Sequence, residues 1–205
     1  MNVQSNTDEP HRHQVPHPRD RRAAVPRAGF NGTGIATILR EADVNSGSLY
    51  HIFPSKEALL IGVLERYTEL LHPVVMAPVE AKTTDPFGRV FALLDQYRAW
   101  LAPIHFTMGC PIGNLALEVG DTQTAARALI RKNFEGWLSY VKKWLDDAGD
   151  RLPRDTDRAA LAQFILTVME GGVMQARAAS SPDAYDASVA QLRRYFDLLQ
   201  EHAAH

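Results

Sequence analysis

The stretch "GTGIATILREADVNSGSLYHIFPSKEALL", Gly32–Leu60, holds two short apolar-periodic runs on either side of a tight break, then a Ser-Lys pair that opens a third. Ile35, Ile38, Leu39 and Ala42 recur at helical spacing, so a helix runs to about Ala42, with Thr33 able to cap it. "DVN" interrupts the pattern. Ser46 can cap a second short helix through Phe53, with Leu49 and Phe53 inward. "PS" interrupts again, and Ser55 caps a longer helix from Lys56 that carries Leu59, Leu60, Val63, Leu64 and Tyr67. That helix should bend or end near Pro73 and Pro78, where the backbone lacks a donor.

The rest of the chain bounds what this unit belongs to. The 205 residues are 45% apolar, which allows one or two cores. A single cysteine excludes an intramolecular disulfide and fits a reducing compartment. No apolar run approaches the ~20 residues of a membrane span, and the first 22 residues contain no apolar secretory region. A cytoplasmic protein with no membrane partner is expected. The net charge of −2 conceals a split: residues 12–56 carry seven basic and three acidic side chains, residues 57–205 fifteen and nineteen. A basic front on an acidic body suits an anionic partner at one end.

The chain reads as all-α, with no strand-type alternation and no long repeat. Asp85-Pro86 is a cap followed by proline at the first helical position. A short helix follows Pro111, and the longest periodic run crosses "TAARALIRKNFEGWLSYVKKWLDDAG" to Gly149. Two more helices are expected at about 156–178 and 182–201.

Two helices joined by a three-residue turn can be an ordinary αα corner or a DNA-reading helix-turn-helix. In the latter, the second helix enters the major groove N-terminus first, and its leading side chains must be small. Asn45, Ser46, Gly47 and Ser48 meet that condition. On this reading Ser46 and Ser48 meet base edges, while Thr33, Tyr50, His51 and Lys56 hold phosphates.

The residues Gly29-Phe30, Thr33, Ile38, Val44, Gly47, Leu49-Tyr50, Phe53, Ser55-Lys56-Glu57 and Leu59-Leu60 resemble the DNA-binding signature of the TetR family of bacterial transcriptional repressors. The resemblance implies an N-terminal three-helix DNA-binding domain and a larger helical domain for ligand and dimerisation. It implies a homodimer on a double-stranded operator, released by a small-molecule effector, with no cofactor. "MGCPIGNLALEVGD" and "FEGWLSYV" are further similar to a subgroup that includes regulators of drug-resistance and flavonoid-responsive genes. Two positions depart from the pattern. Asp43 stands where the family commonly has glycine, and aspartate tolerates the left-handed backbone of such a turn. Before Gly29 the family has an amphipathic first helix, whereas "HPRDRRAAVPRA" offers only Val25 as a sizeable aliphatic.

This divides the chain into a tail at 1–18, a DNA-binding domain with a degenerate first helix at 19–67, and a ligand and dimer domain at 68–205. An apolar pocket is expected from Tyr97, Trp100, Phe106, Met108, Cys110, Phe134, Trp137 and Met169, with His105 and Asn114 as polar anchors. Its effector is flat, weakly charged and aromatic. The dimer face is expected from Phe164, Val168, Gly172, Leu192, Tyr195, Phe196 and Leu199 on the last two helices.

Other features weigh less. Cys110 reads as a small buried filler, a redox or electrophile sensor being the other role open to it. "GFNGTG" follows no strand, so it is not a dinucleotide loop. His11 and His13 could ligate metal but sit in a tail expected to be disordered, where they most often do nothing, and no catalytic grouping can be built from spacing. A ligand-binding dimer that has lost operator binding is the second reading, and a small helical enzyme the third. The resemblance begins abruptly at Gly29 after an Arg/Pro/Ala/His-biased run. That edge suits a frame shift or misassigned start upstream of codon 29, with residues 1–18 disordered, a short and poorly packed helix near 19–28, and weak DNA binding.

Overall fold

The computed structural model describes residues 29–43 and 45–204. The expectations for 1–18 and 19–28 fall outside them. Among the described residues the fold is helical throughout. It begins with a single turn, α1 (Gly29–Gly32), then α2 (Ile35–Ala42) and α3 (Ser46–Ile52). The α2–α3 turn works as its chemistry suggests: Asp43 adopts φ 52° and ψ 46°, the left-handed conformation that closes a helix.

α4 (Lys56–Leu70) starts at Ser55, whose hydroxyl accepts from the Ala58 amide at 3.0 Å. Its prolines do not end it cleanly. The chain passes through a π-helical turn, Leu71–Met76, around Pro73 and continues as α5 (Ala77–Lys82). α6 (Pro86–Leu101) opens on Asp85, whose carboxylate accepts from the Gly88 amide at 2.6 Å. α7 (Pro111–Glu118) and α8 (Thr124–Asp147) follow, then α9 (Arg158–Ala179), capped by Asp157, and α10 (Asp183–Ala203).

The core lies among α4, α6, α8, α9 and α10. Leu64, Met76, Leu93, Leu94, Trp144, Tyr185 and Phe196 are fully enclosed there. Phe196 of α10 meets Phe87 and Phe91 of α6 edge-on, with ring centres 5.1 and 5.3 Å apart. The buried Asn133 ties α8 to α4, donating to the carbonyls of Leu64 at 3.1 Å and Leu129 at 2.9 Å. By length and composition α9 could cross a membrane, contrary to the sequence expectation, but it packs between α8 and α10.

Candidate functional site

The N-terminal half of α3 faces solvent. Asn45, Ser46, Gly47, Tyr50 and His51 are exposed, whereas Leu49 and Phe53 turn inward as their spacing predicts. The Ser48 side chain lies outside the described residues. Lys56, one of the expected phosphate contacts, stands over the Phe30 ring at 4.4 Å from its centre, an arrangement that fixes the ammonium beside the first turn of α4. Thr33 is a correction. It is 3% exposed and its hydroxyl donates to the Gly29 carbonyl, so it braces α1 against α2 and offers nothing to a phosphate. It does not cap α2 either: Gly34 holds the cap position.

α1 is attached to the body by polar contacts. The Asn31 amide donates to the Glu118 carboxylate at 3.0 Å, and its side-chain amide donates to the Glu118 carbonyl at 2.8 Å. α7 therefore carries at its C-terminus the brace on the α3-bearing unit.

At the other end of α7 is a buried polar cluster. Cys110 precedes Pro111, and the Tyr97 hydroxyl of α6 donates to its sulfur at 3.5 Å. The Glu170 carboxyl of α9 reaches the same thiol, and one of its oxygens occupies the space a Cβ at Gly113 would need. Its other oxygen, Oε1, is buried with no hydrogen-bond partner. Burial, then the Glu170 charge, push the Cys110 thiol up to about 12. A thiol held protonated is a poor nucleophile, which favours the filler role over the sensor. Burial also raises Tyr97, Tyr67 and Glu170 above their ordinary values. Tyr97 meets Trp137 of α8 edge-on at 5.3 Å.

Of the expected pocket residues, Tyr97, Phe106, Cys110, Trp137 and Met169 are buried and Phe134 is partly so. The others need correction. Trp100, His105 and Met108 are exposed and do not line an enclosed space. The Asn114 side-chain oxygen accepts from Arg177 at 2.8 Å and is already engaged. Sequence reasoning missed Glu170, because a glutamate before two glycines in "MEGG" reads as an exposed charge.

The dimer set also divides. Leu192, Phe196 and Gly172 are buried within the protomer, Gly172 lying against the Tyr185 ring; Phe196 belongs to the core, while Leu192 and Gly172 form part of the floor of the α9–α10 groove. Phe164 and Tyr195 are exposed and meet edge-on at 5.9 Å, with Val168 and Leu199 partly buried beside them. They border an open groove of about 1170 Å³ between α9 and α10.

Comparison with known proteins defines the class. Residues 26–63 match the model for bacterial regulatory proteins of the tetR family, and residues 86–192 match that for the tetracyclin repressor-like C-terminal domain. The chain belongs to the TetR family of bacterial transcriptional regulators and is not an enzyme. It is 26% identical to the HTH-type transcriptional repressor DhaR of Mycobacterium sp. strain GP1 over 72% of this chain and 73% of that protein. A crystal structure of a regulatory protein TetR from Rhodobacter sphaeroides superposes with a TM-score of 0.75 at 25% identity, covering 81% of this chain and 89% of that one. CifR, a family member solved with double-stranded operator DNA, has the same fold, with a TM-score of 0.66 at 24% identity, covering 81% and 88%.

Proposed function

We propose that this chain is a cytoplasmic, ligand-responsive repressor that binds a palindromic operator as a homodimer and is released by a small apolar, aromatic effector. The observation that carries the reading is the exposed, small-residue N-terminal half of α3, presented beside Lys56. The fold shared with CifR, which was solved on its operator, supports a double-stranded DNA partner. The α9–α10 groove, apolar around Phe164, Val168, Tyr195 and Leu199, suits coverage by the same face of a second copy. Two-fold pairing would set the recognition helices about 34–36 Å apart, one turn of DNA. The division at residue 67 is functional rather than structural, since α4 serves both parts. The "GCPIGNLALE" segment supports the drug-resistance and flavonoid-responsive subgroup.

Lys56→Ala and Ser46→Ala test the assignment. Lys56→Ala should weaken binding to every sequence alike and reduce the salt slope by about one charge. Ser46→Ala should instead alter base preference at one position of each half-site. Indistinguishable behaviour in gel shifts across salt and operator variants would refute it.

The second reading, a ligand-binding dimer with impaired operator binding, is favoured by one observation. Among the described residues, α1 and α2 bury none of their side chains. Operator affinity no tighter than that for random duplex at the same salt would establish this second reading.

A further inference from the structure

We propose that Gly62 is a positioning residue for operator recognition: the side chain it lacks leaves a seat on α4 for the Phe53 ring, and that seat sets the direction in which α3 leaves the body. The proposal rests on the reading of α3 as the helix that enters DNA.

Gly62 lies in the middle of α4, where glycine is the least favourable residue after proline. Its position on the helix explains why it is there. Leu60 and Leu64 are buried in the body. Gly62, two positions from each, is turned about 160–200° away from them, since each helical residue advances by ~100°. α4 thus packs on two sides, and Gly62 belongs to the side turned from the core. There the Phe53 ring lies directly on the helix. A Cβ at residue 62 would stand 2.6 Å from Cε1 and 3.1 Å from Cζ of that ring. Carbon atoms in contact rest at about 3.5–4.0 Å, so even alanine would displace the ring by about 1 Å.

The ring is tied to α3. The Phe53 amide donates to the Leu49 carbonyl at 2.7 Å, so Phe53 completes the last turn of that helix. Only Pro54 and Ser55 separate it from the start of α4, and the proline ring restricts the backbone between them. α3 and α4 therefore meet at this short connection and again where Phe53 rests on Gly62, six residues beyond Lys56. Two such points fix an angle. The ring can yield only by leaving α4 or by carrying the end of α3 with it, and either releases that angle. The brace of Asn31 on Glu118 holds α1, not α3.

Sequence reading depends on this angle more than total affinity does. Phosphate contacts read charge and carry no sequence information, so a small rotation changes them little. N–H···O bonds to base edges hold only across about 2.7–3.2 Å. A shift of about 1 Å carried to the leading residues of α3 exceeds that window.

The test uses the full chain, the duplex that wild type enriches most from a random-sequence pool, and a scrambled duplex of the same composition. Gly62→Ala should bind the enriched duplex at least about tenfold more weakly, and the scrambled duplex within about twofold of wild type. Adding Phe53→Leu removes the two ring atoms that collide. Gly62→Ala/Phe53→Leu should then bind the enriched duplex at least about fivefold tighter than Gly62→Ala alone. If Gly62→Ala does not fold by circular dichroism, Phe53→Leu alone decides. With the seat half-filled it should lose at least about threefold in preference for the enriched duplex, and an unchanged preference overturns the seat. Wild-type affinity in Gly62→Ala, an equal loss on both duplexes, or a double variant no better than the single overturns the seat and leaves the repressor reading standing. No sequence enriched by wild type overturns both.

Discussion

The α1–α3 unit and the α4–α10 body are built on different terms. In the body, Trp144, Leu64, Tyr185 and Phe196 are enclosed on all sides, and apolar burial holds the helices together. In the front unit, Ile35, Ile38 and Leu39 of α2 form the expected apolar stripe yet stay half-buried. Apolar contact with the body is limited to partly buried rings, Phe30 on the core and Phe53 on Gly62, and polar contacts add to it: Asn31 on Glu118, and Lys56 over Phe30. Hydrogen bonds of this kind contribute about 0.5–1.5 kcal/mol each, against roughly 1.5–3 for a fully buried aliphatic or aromatic side chain. The α1–α3 unit is therefore held by shallower contacts than those that hold the body together.

The sharpest way to break this contrast is at Trp144, which is fully buried and donates to Glu80 at 3.1 Å. Trp144→Ala should cost about 3–5 kcal/mol, read as a lower urea midpoint at unchanged slope. A loss below about 1 kcal/mol would mean the body is not the stable partner.

A second expectation concerns pH. Burial raises the Glu170 carboxyl, only partly offset by the Cys110 hydrogen bond, so the folded chain holds that proton more tightly than the unfolded one. The resulting stabilisation is fully present below about pH 4.3, the unfolded value, and is lost as pH rises through the higher folded value. Wild type should therefore lose stability relative to Glu170→Gln across that window, with a slope of at most about 1.4 kcal/mol per pH unit. Parallel stability curves for the two proteins would show that the carboxyl is solvated.

The smallest effect is expected in the front unit, where Ile38→Ala should cost only about 1 kcal/mol because the side chain is half-buried. Hydrogen exchange would locate that loss in α2 and leave α8 and α9 unchanged. Spread of the loss into α8 would mean the two parts unfold as one.

Much of this was legible in the residues. Ser55 and Asp85 signalled their helix starts, and Asp43 its left-handed turn, because capping chemistry is local. What depended on tertiary packing was not legible. Leu192 and Phe196 share a helix with Tyr195, and periodicity alone cannot say which face a protomer keeps for itself. Thr33 has the composition of a cap, and only the fold shows that its hydroxyl turns back to Gly29. Glu170 reads as an exposed charge in the sequence, and only the packing of α7 on α9 shows its carboxyl turned inward against Gly113.

The π-helical turn at Leu71–Met76 bears on how this chain can vary in length. Each residue of a regular helix advances the chain by about 100°. A wider turn accommodates more residues than a regular one, so deleting a single codon here would let the rod close into ordinary helix. The helices on either side would then keep nearly their present phase, whereas a one-residue deletion within α4, which has no extra residue to give up, would turn the reading unit by about that angle relative to the body. The same deletion in the connection at 121–123 would shorten only a surface loop. Tolerance of a one-residue deletion should therefore be lower within α4 than in the π turn or in that loop.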